Sequence, residues 1–194
     1  MKALVKKDLF VLTRQMRLFL VMIVVFAVLP GASMTTFAVV YAAMLPYTAL
    51  AYDERSKWDQ MAAMLPYTDR DVVLAKYVLG WLLIAATTAL SLLAGVITRA
   101  DFMGPLLGFC IGLLVMALTL PLMFRFGVEK GRMFFILLMV ILGVGGANLA
   151  TGLAQSPDTT SLKRLLLIVL PLAAVAANAV SVPLSVKLYA RRSR

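Results

Sequence analysis

Residues 18–52 read LFLVMIVVFAVLPGASMTTFAVVYAAMLPYTALAY, thirty-five positions without an Asp, Glu, Lys, Arg or His. An α-helix needs roughly 20 apolar residues to cross ~30 Å of hydrocarbon, so the stretch is too long for one ordinary crossing. It suffices for two short ones if the chain turns near Pro30-Gly31-Ala32-Ser33, where Pro and Gly supply the break. Whether this stretch crosses once or twice decides the side on which every later loop lies.

Four further uncharged gaps follow: between Lys76 and Arg99, Asp101 and Arg125, Arg132 and Asp158, and Arg164 and Lys187. Each holds 22 to 25 residues, the length of one span. The expected fold is therefore all-α and polytopic, with six transmembrane helices. The distribution of basic residues agrees with a double first crossing. With the N-terminus inside, Lys2, Lys6, Lys7, Arg14, Arg17, Arg55, Lys57, Arg70, Lys76, Arg125, Lys130, Arg132, Lys187, Arg191, Arg192 and Arg194 lie on the cytoplasmic side, and only Arg99, Lys163 and Arg164 lie outside. Sixteen against three is the asymmetry that sets membrane orientation, and a single first crossing would scramble it. Both termini are expected in the cytoplasm, with the chain in the cell membrane.

With 62% hydrophobic residues the chain leaves no room for a soluble domain, so residues 1–194 are read as one membrane domain. The net charge of +10 would suggest nucleic acid in a soluble protein. Here the basic residues flank spans, where orientation and anionic lipid headgroups account for them, and nucleic acid is not expected as a partner. Cys110 is the single cysteine and excludes an intrachain disulfide. Residues 1–17 are too long and too patterned for the n-region of a cleaved signal. Val5, Leu9, Leu12 and Met16 share one helical face and Lys6, Lys7, Arg14 and Arg17 another, which predicts an amphipathic helix lying in the inner interface.

Gly104, Gly108 and Gly112 recur every four residues in the fourth expected span. Such a stripe permits close backbone approach, either between subunits or within the bundle. The heptapeptide Ala-Ala-Met-Leu-Pro-Tyr-Thr occurs at 42–48 and again at 62–68, too few copies for a repeat architecture.

Absences narrow the function. The expected span interiors offer Thr87, Thr88, Ser91, Thr119, Asn148, Thr151, Asn178, Ser181 and Ser185 but no titratable group at depth, which disfavours proton or ion coupling. No carboxylate cluster, His-containing metal site, nucleophile elbow or phosphate-binding loop occurs, so neither metal-assisted chemistry nor ATP hydrolysis is expected of this chain. Any energy must enter from outside, and the loop after the second span is the candidate entry. Asp53, Glu54, Arg55 and Lys57 crowd a first turn, and Trp58, Met61, Ala62 and Leu65 share a face. The pattern predicts a short amphipathic helix from Asp53 to Pro66. Thr68 then caps the third span in a Thr-x-x-Asp arrangement with Asp71.

The loop Tyr-Asp-Glu-Arg-Ser-Lys-Trp-Asp, followed by Leu-Pro-Tyr-Thr-Asp-Arg-Asp-Val-Val-Leu-Ala-Lys-Tyr, resembles that of small six-helix permeases of ATP-binding cassette exporters. That group includes bacterial exporters of phenol-soluble modulins. The resemblance implies a separately encoded ATPase that carries the ATP and Mg²⁺, leaving no cofactor in this chain, and a second permease chain, identical or not. It implies that the 53–66 segment is the coupling helix, with Asp53, Glu54, Arg55, Lys57, Trp58, Met61 and Leu65 at the ATPase interface. It also implies that Leu153 to Ser161 folds on the outer face. The function expected is export of an amphipathic peptide or lipid-like substrate; the alternative is a channel-like or scaffold membrane protein without an ATPase.

Overall fold

The computed structural model describes residues 2–29, 32–58, 61, 64–65, 67–98, 102–155 and 159–192, and for 2, 15, 32–33, 103, 138–155, 159–167 and 192 only the backbone path. The described elements are helices: α1 (Lys2–Gln15), α2 (Arg17–Val28), α3 (Ala32–Ala43), α4 (Leu45–Arg55), α5 (Asp69–Thr98), α6 (Met103–Gln155) and α7 (Thr159–Arg192).

The first apolar stretch is not two equal crossings. Helix α1 ends at Met16, where the backbone leaves helical geometry (φ −121°, ψ 33°), and α2 departs at 87° to it. Helix α2 then stops at Leu29, whose extended backbone (φ −63°, ψ 133°) is what the residue before a proline adopts. Its 12 residues rise only ~18 Å, short of a bilayer on their own. Helices α3 and α4 meet at Met44 with little change of direction, because Met44 stays in the helical region and Pro46 occupies the first turn of α4, where its missing N–H costs nothing. Together, Met34–Arg55 make one crossing length of 22 residues.

Among the described residues four helical stretches are long and apolar enough to cross a membrane: Met34–Arg55, Asp69–Thr98, Gly104–Leu137 and Ile168–Arg191. The count is five if the bent pair α1–α2 is one span, against the six expected from charge gaps. One of these stretches is not straight. Gly127 has φ 80° and ψ 170°, a conformation open to glycine alone. A Cβ on Gly131 would lie 3.3 Å from Met123 Cα, and the Phe126 and Phe134 rings stack with centroids 5.4 Å apart. Residues eight apart in a straight helix are separated by ~12 Å, so α6 folds back on itself at Gly127. The reversal falls between Arg125 and Arg132, where the charge pattern puts the loop between the fourth and fifth spans. The side chains of 138–155, over which the expected fifth span runs, lie outside those described.

The core gathers Val39, Val73, Tyr77, Ile84, Met116, Leu120, Met123 and Phe124 where α3, α5, α6 and α7 meet. Small residues let the helices close. The Gly104 carbonyl accepts from Thr36 Oγ1 at 3.2 Å, a Cβ on Gly108 would lie 3.2 Å from Thr36 Cα, and one on Gly112 3.4 Å from Val39 Cγ1. All three glycines of the stripe therefore face α3 of the same chain. Ile97, Leu93, Leu172 and Ile168 point outward from α5 and α7, as residues facing lipid do.

Candidate functional site: a ring of buried charges at one end of the bundle

Helix α1 packs on the bundle through Leu4, Asp8 and Leu12, three buried residues at four-residue spacing. The expected apolar face was Val5, Leu9, Leu12 and Met16. Val5 and Met16 are half-buried and Leu9 is exposed, so the packed face is turned by about one position and carries a carboxylate at its centre.

That carboxylate meets two other elements. Asp53 sits in the last turn of α4 and Lys76 in the second turn of α5, both buried. Lys76 Nζ donates to Asp8 Oδ2 at 2.7 Å and to Asp53 Oδ2 at 2.5 Å. Lys7 Nζ donates to Asp53 Oδ1 at 2.6 Å and lies 3.1 Å from Asp8 Oδ1. Each carboxylate thus gives one oxygen to each ammonium, and the four groups form an alternating ring with no net charge. Lys76 is only 2% exposed. An isolated ammonium there would carry a prohibitive desolvation cost; two carboxylates at hydrogen-bond distance offset it. The Lys7 ammonium closes the solvent side and lies 4.0 Å from the centre of the Trp58 ring, a cation–π contact.

The neighbouring Glu54 faces another element. Its Oε2 accepts from the Val128 N–H at 2.9 Å, placing a carboxylate at the first free amide after the reversal in α6, where a helix start favours negative charge. Consecutive acids at the end of α4 therefore tie α1 and α5 on one side and the α6 turn on the other. Helix α4 runs through Arg55, Ser56 N donates to Tyr52 O at 2.9 Å, and Lys57 turns the chain with φ 53°. Asp53, Glu54 and Arg55 are accordingly the last turn of a spanning helix, where a separate helix beginning at Asp53 was expected. Trp58 and Met61 are helical again, Met64 and Leu65 form a turn, and residues 59–60, 62–63 and 66 lie outside the described ones. Arg55, Lys57, Met61 and Leu65 are exposed.

A second polar system runs up the bundle beside the ring. Tyr77, next to Lys76, shares hydrogen bonds with Ser181 (2.5 Å) and Ser185 (2.8 Å) of α7. Ser181 Oγ donates to the Ala117 carbonyl at 2.6 Å, and Asn178 Nδ2 donates to the carbonyls of Leu113 and Ala174 while its Oδ1 accepts from Trp81 Nε1 at 3.2 Å. These groups join α5, α6 and α7 without a charge. Farther along α5, Ser91 is buried with no hydrogen-bond partner among the described residues.

Residues 3–190 match the family described as ABC-2 family transporter protein. The chain belongs to that family. No curated protein and no solved structure matches it. Membership makes this a multi-pass membrane protein, the permease component of an ATP-binding cassette transporter.

In this ABC-2 chain the residues expected at a partner interface divide into two sets. Asp53, Glu54 and Trp58 are engaged with α5, α6 and α1, whereas Arg55, Lys57, Met61 and Leu65 face outward. Sequence reasoning missed Asp8, and it placed Lys76 with the loop charges that set orientation. A signal was present: Asp8 is the lone acid in a basic helix, and Lys76 stands seven residues inside a helix that opens at Asp69.

Proposed function

We propose that the chain is the permease subunit of an exporter driven by a separate ATPase, and that the ring of Lys7, Asp8, Asp53 and Lys76 is the joint through which the ATPase moves the bundle. The observation that carries this reading is the position of Asp53. It is the last buried residue before the exposed segment containing Met61, Met64 and Leu65, and it holds both α1 and α5. A partner seated on the exposed segment would pull on Asp53 and Glu54 directly, and so on three elements together.

On this reading the end of the bundle bearing the ring is cytoplasmic, as the sixteen-to-three distribution of basic residues supports. Two permease chains would form the transport path, and Met61, Met64 and Leu65 would fill a groove of the ATPase with Arg55 and Lys57 at its rim. The hydroxyl- and amide-bearing interior around Thr87, Thr88, Ser91, Thr119 and Asn178 suits an amphipathic peptide or a lipid-like molecule, and none of these five side chains is an acid or a base that could serve ion coupling.

The test is co-purification of the intact chain with a nucleotide-binding subunit encoded beside it. Replacing residues 58–65 by a Gly-Ser segment, with Asp53 and Glu54 kept, should abolish capture while leaving the chain inserted and helical. Full capture by that variant would refute docking at this loop.

A further inference from the structure

Helix α1 uses its two faces differently. Leu4, Asp8 and Leu12 pack inward, whereas Lys6, Phe10, Thr13 and Arg14, with Arg17 at the start of α2, are exposed. Phe10 is 62% exposed at the middle of that outward face, and the half-apolar border is completed by the exposed Leu9.

The position of α1 decides what the outward face meets. Asp8 reaches Lys76, seven residues inside α5, and Leu12 shares a cluster with Leu79, ten residues inside it. At 1.5 Å per residue those levels lie ~10 and ~15 Å from the start of α5. The 30 residues of α5 run ~45 Å, about 15 Å more than the hydrocarbon core, so both levels fall near the boundary between headgroups and acyl chains. Helix α1 therefore flanks the spans at that depth and does not sit beneath their ends. The far side of a helix so placed is turned to lipid, and the outward valines of α2, Val21, Val24 and Val25, continue the same surface beyond the 87° bend.

The charge of this face is unopposed. Asp8 is the only acid in α1, and it points inward, where Lys7 and Lys76 hold it. Lys6, Arg14 and Arg17 are in no ion pair among the described residues. Long cationic side chains around an exposed aromatic ring, at the headgroup boundary, match phosphates on one side and acyl chains on the other.

We propose that the outward face of α1 binds anionic phospholipid of the adjoining leaflet, with phosphates on Lys6, Arg14 and Arg17 and Phe10 among the acyl chains, and that the lipid thereby holds α1 and its Asp8 against the charge ring. The leaflet is the inner one in the orientation given above. The binding itself requires no ATPase.

Hydrogen–deuterium exchange of the full chain, in nanodiscs of phosphatidylcholine alone or mixed with phosphatidylglycerol, tests the proposal. The α1 amides should exchange about tenfold more slowly with phosphatidylglycerol present, and high salt should remove the difference. Lys6→Gln/Arg14→Gln should abolish most of the difference, and so should Thr13→Glu, which removes no cation and sets a carboxylate beside them. Arg70→Gln/Lys187→Gln, which neutralises two exposed cations away from α1, should preserve it. Phe10→Ser should speed exchange in both membranes, and the amides of α5 beyond Tyr77 check that each variant remains folded. Equal exchange of α1 with and without phosphatidylglycerol, an undiminished difference in both charge variants of α1, a difference lost as fully in Arg70→Gln/Lys187→Gln, or unchanged exchange in Phe10→Ser would each overturn the assignment. Every arm uses the chain without a partner, so failure here is distinct from failure of ATPase docking.

Discussion

Lys76 and Tyr77 are consecutive on α5, yet they feed two polar systems of opposite kind. Lys76 turns toward α1 and α4 and is held by two carboxylates; Tyr77 turns toward α7 and is held by two serine hydroxyls. The first system is charged, lies at the end of the bundle and joins single turns of α1, α4 and α5. The second is neutral, runs into the bundle and joins helices along their length. The difference follows from depth. A charge can be kept only where its counter-ions reach it from an interface, whereas hydroxyls and amides can satisfy one another or a backbone carbonyl anywhere along a helix.

The sharpest way to break this contrast is Lys76→Met. It leaves Asp8 and Asp53 sharing only Lys7, and removing one partner from a buried ion cluster costs about 3–5 kcal/mol. Thermal unfolding in detergent should show a large loss of stability, and α1 should become accessible to protease. Adding Asp8→Asn to that variant leaves a balanced Lys7–Asp53 pair and should recover a substantial part of the loss. No recovery would mean that the ring acts by packing and not by charge balance.

Tyr77→Phe probes the neutral side of the same turn. Ser181 keeps its bond to the Ala117 carbonyl, so only Ser185 loses a partner. Polar pairs of this kind in membrane bundles contribute roughly 0.6–2 kcal/mol, so the variant should lose about 1 kcal/mol, well below the cost of Lys76→Met one residue earlier. Equal losses at the two positions would erase the distinction.

Trp58→Ala removes the ring lying over Lys7 and should cost about 0.5–1 kcal/mol of stability while leaving the four-charge ring closed. Under the proposed docking role its effect on capture of the ATPase exceeds its effect on unfolding. Parallel small changes in both would remove Trp58 from the interface.

The smallest effect is expected at Lys57, a non-glycine residue at φ 53°. The left-handed conformation costs an ordinary residue roughly 1 kcal/mol, and glycine gives part of that back through its greater unfolded-state freedom. Lys57→Gly should therefore raise stability by a few tenths of a kcal/mol, read as a small upward shift of the unfolding midpoint. A drop would show that the Lys57 side chain contributes more than its backbone costs.

Much of the architecture is written locally. The uncharged gaps reveal helices of crossing length, Gly127 stands at the reversal between Arg125 and Arg132, Pro30 stops the helix before it, and Thr68 and Asp71 form the cap that their spacing predicts. These features depend on one segment and its solvent, so periodicity and composition suffice to find them. The bounds of α2 were legible as well: the 87° bend at Met16 falls where the charged segment of residues 1–17 gives way to the uncharged stretch, although no proline or glycine marks it.

The ring lay wholly beyond local reading. Asp8, Asp53 and Lys76 come from three segments, with 68 positions between the first and the last. Each alone reads as an interfacial charge, and pattern reading assigns charges to the surface because burying one singly is prohibitive. Only the packing of α1 across α4 and α5 brings opposite charges close enough to offset that cost. The sequence by itself determined that the chain is a helical membrane protein, where most of its helices begin and end, and which family it belongs to. The tertiary structure decided which of its charges are buried and which elements they bind together, because that depends on a balance among partners that no single segment contains.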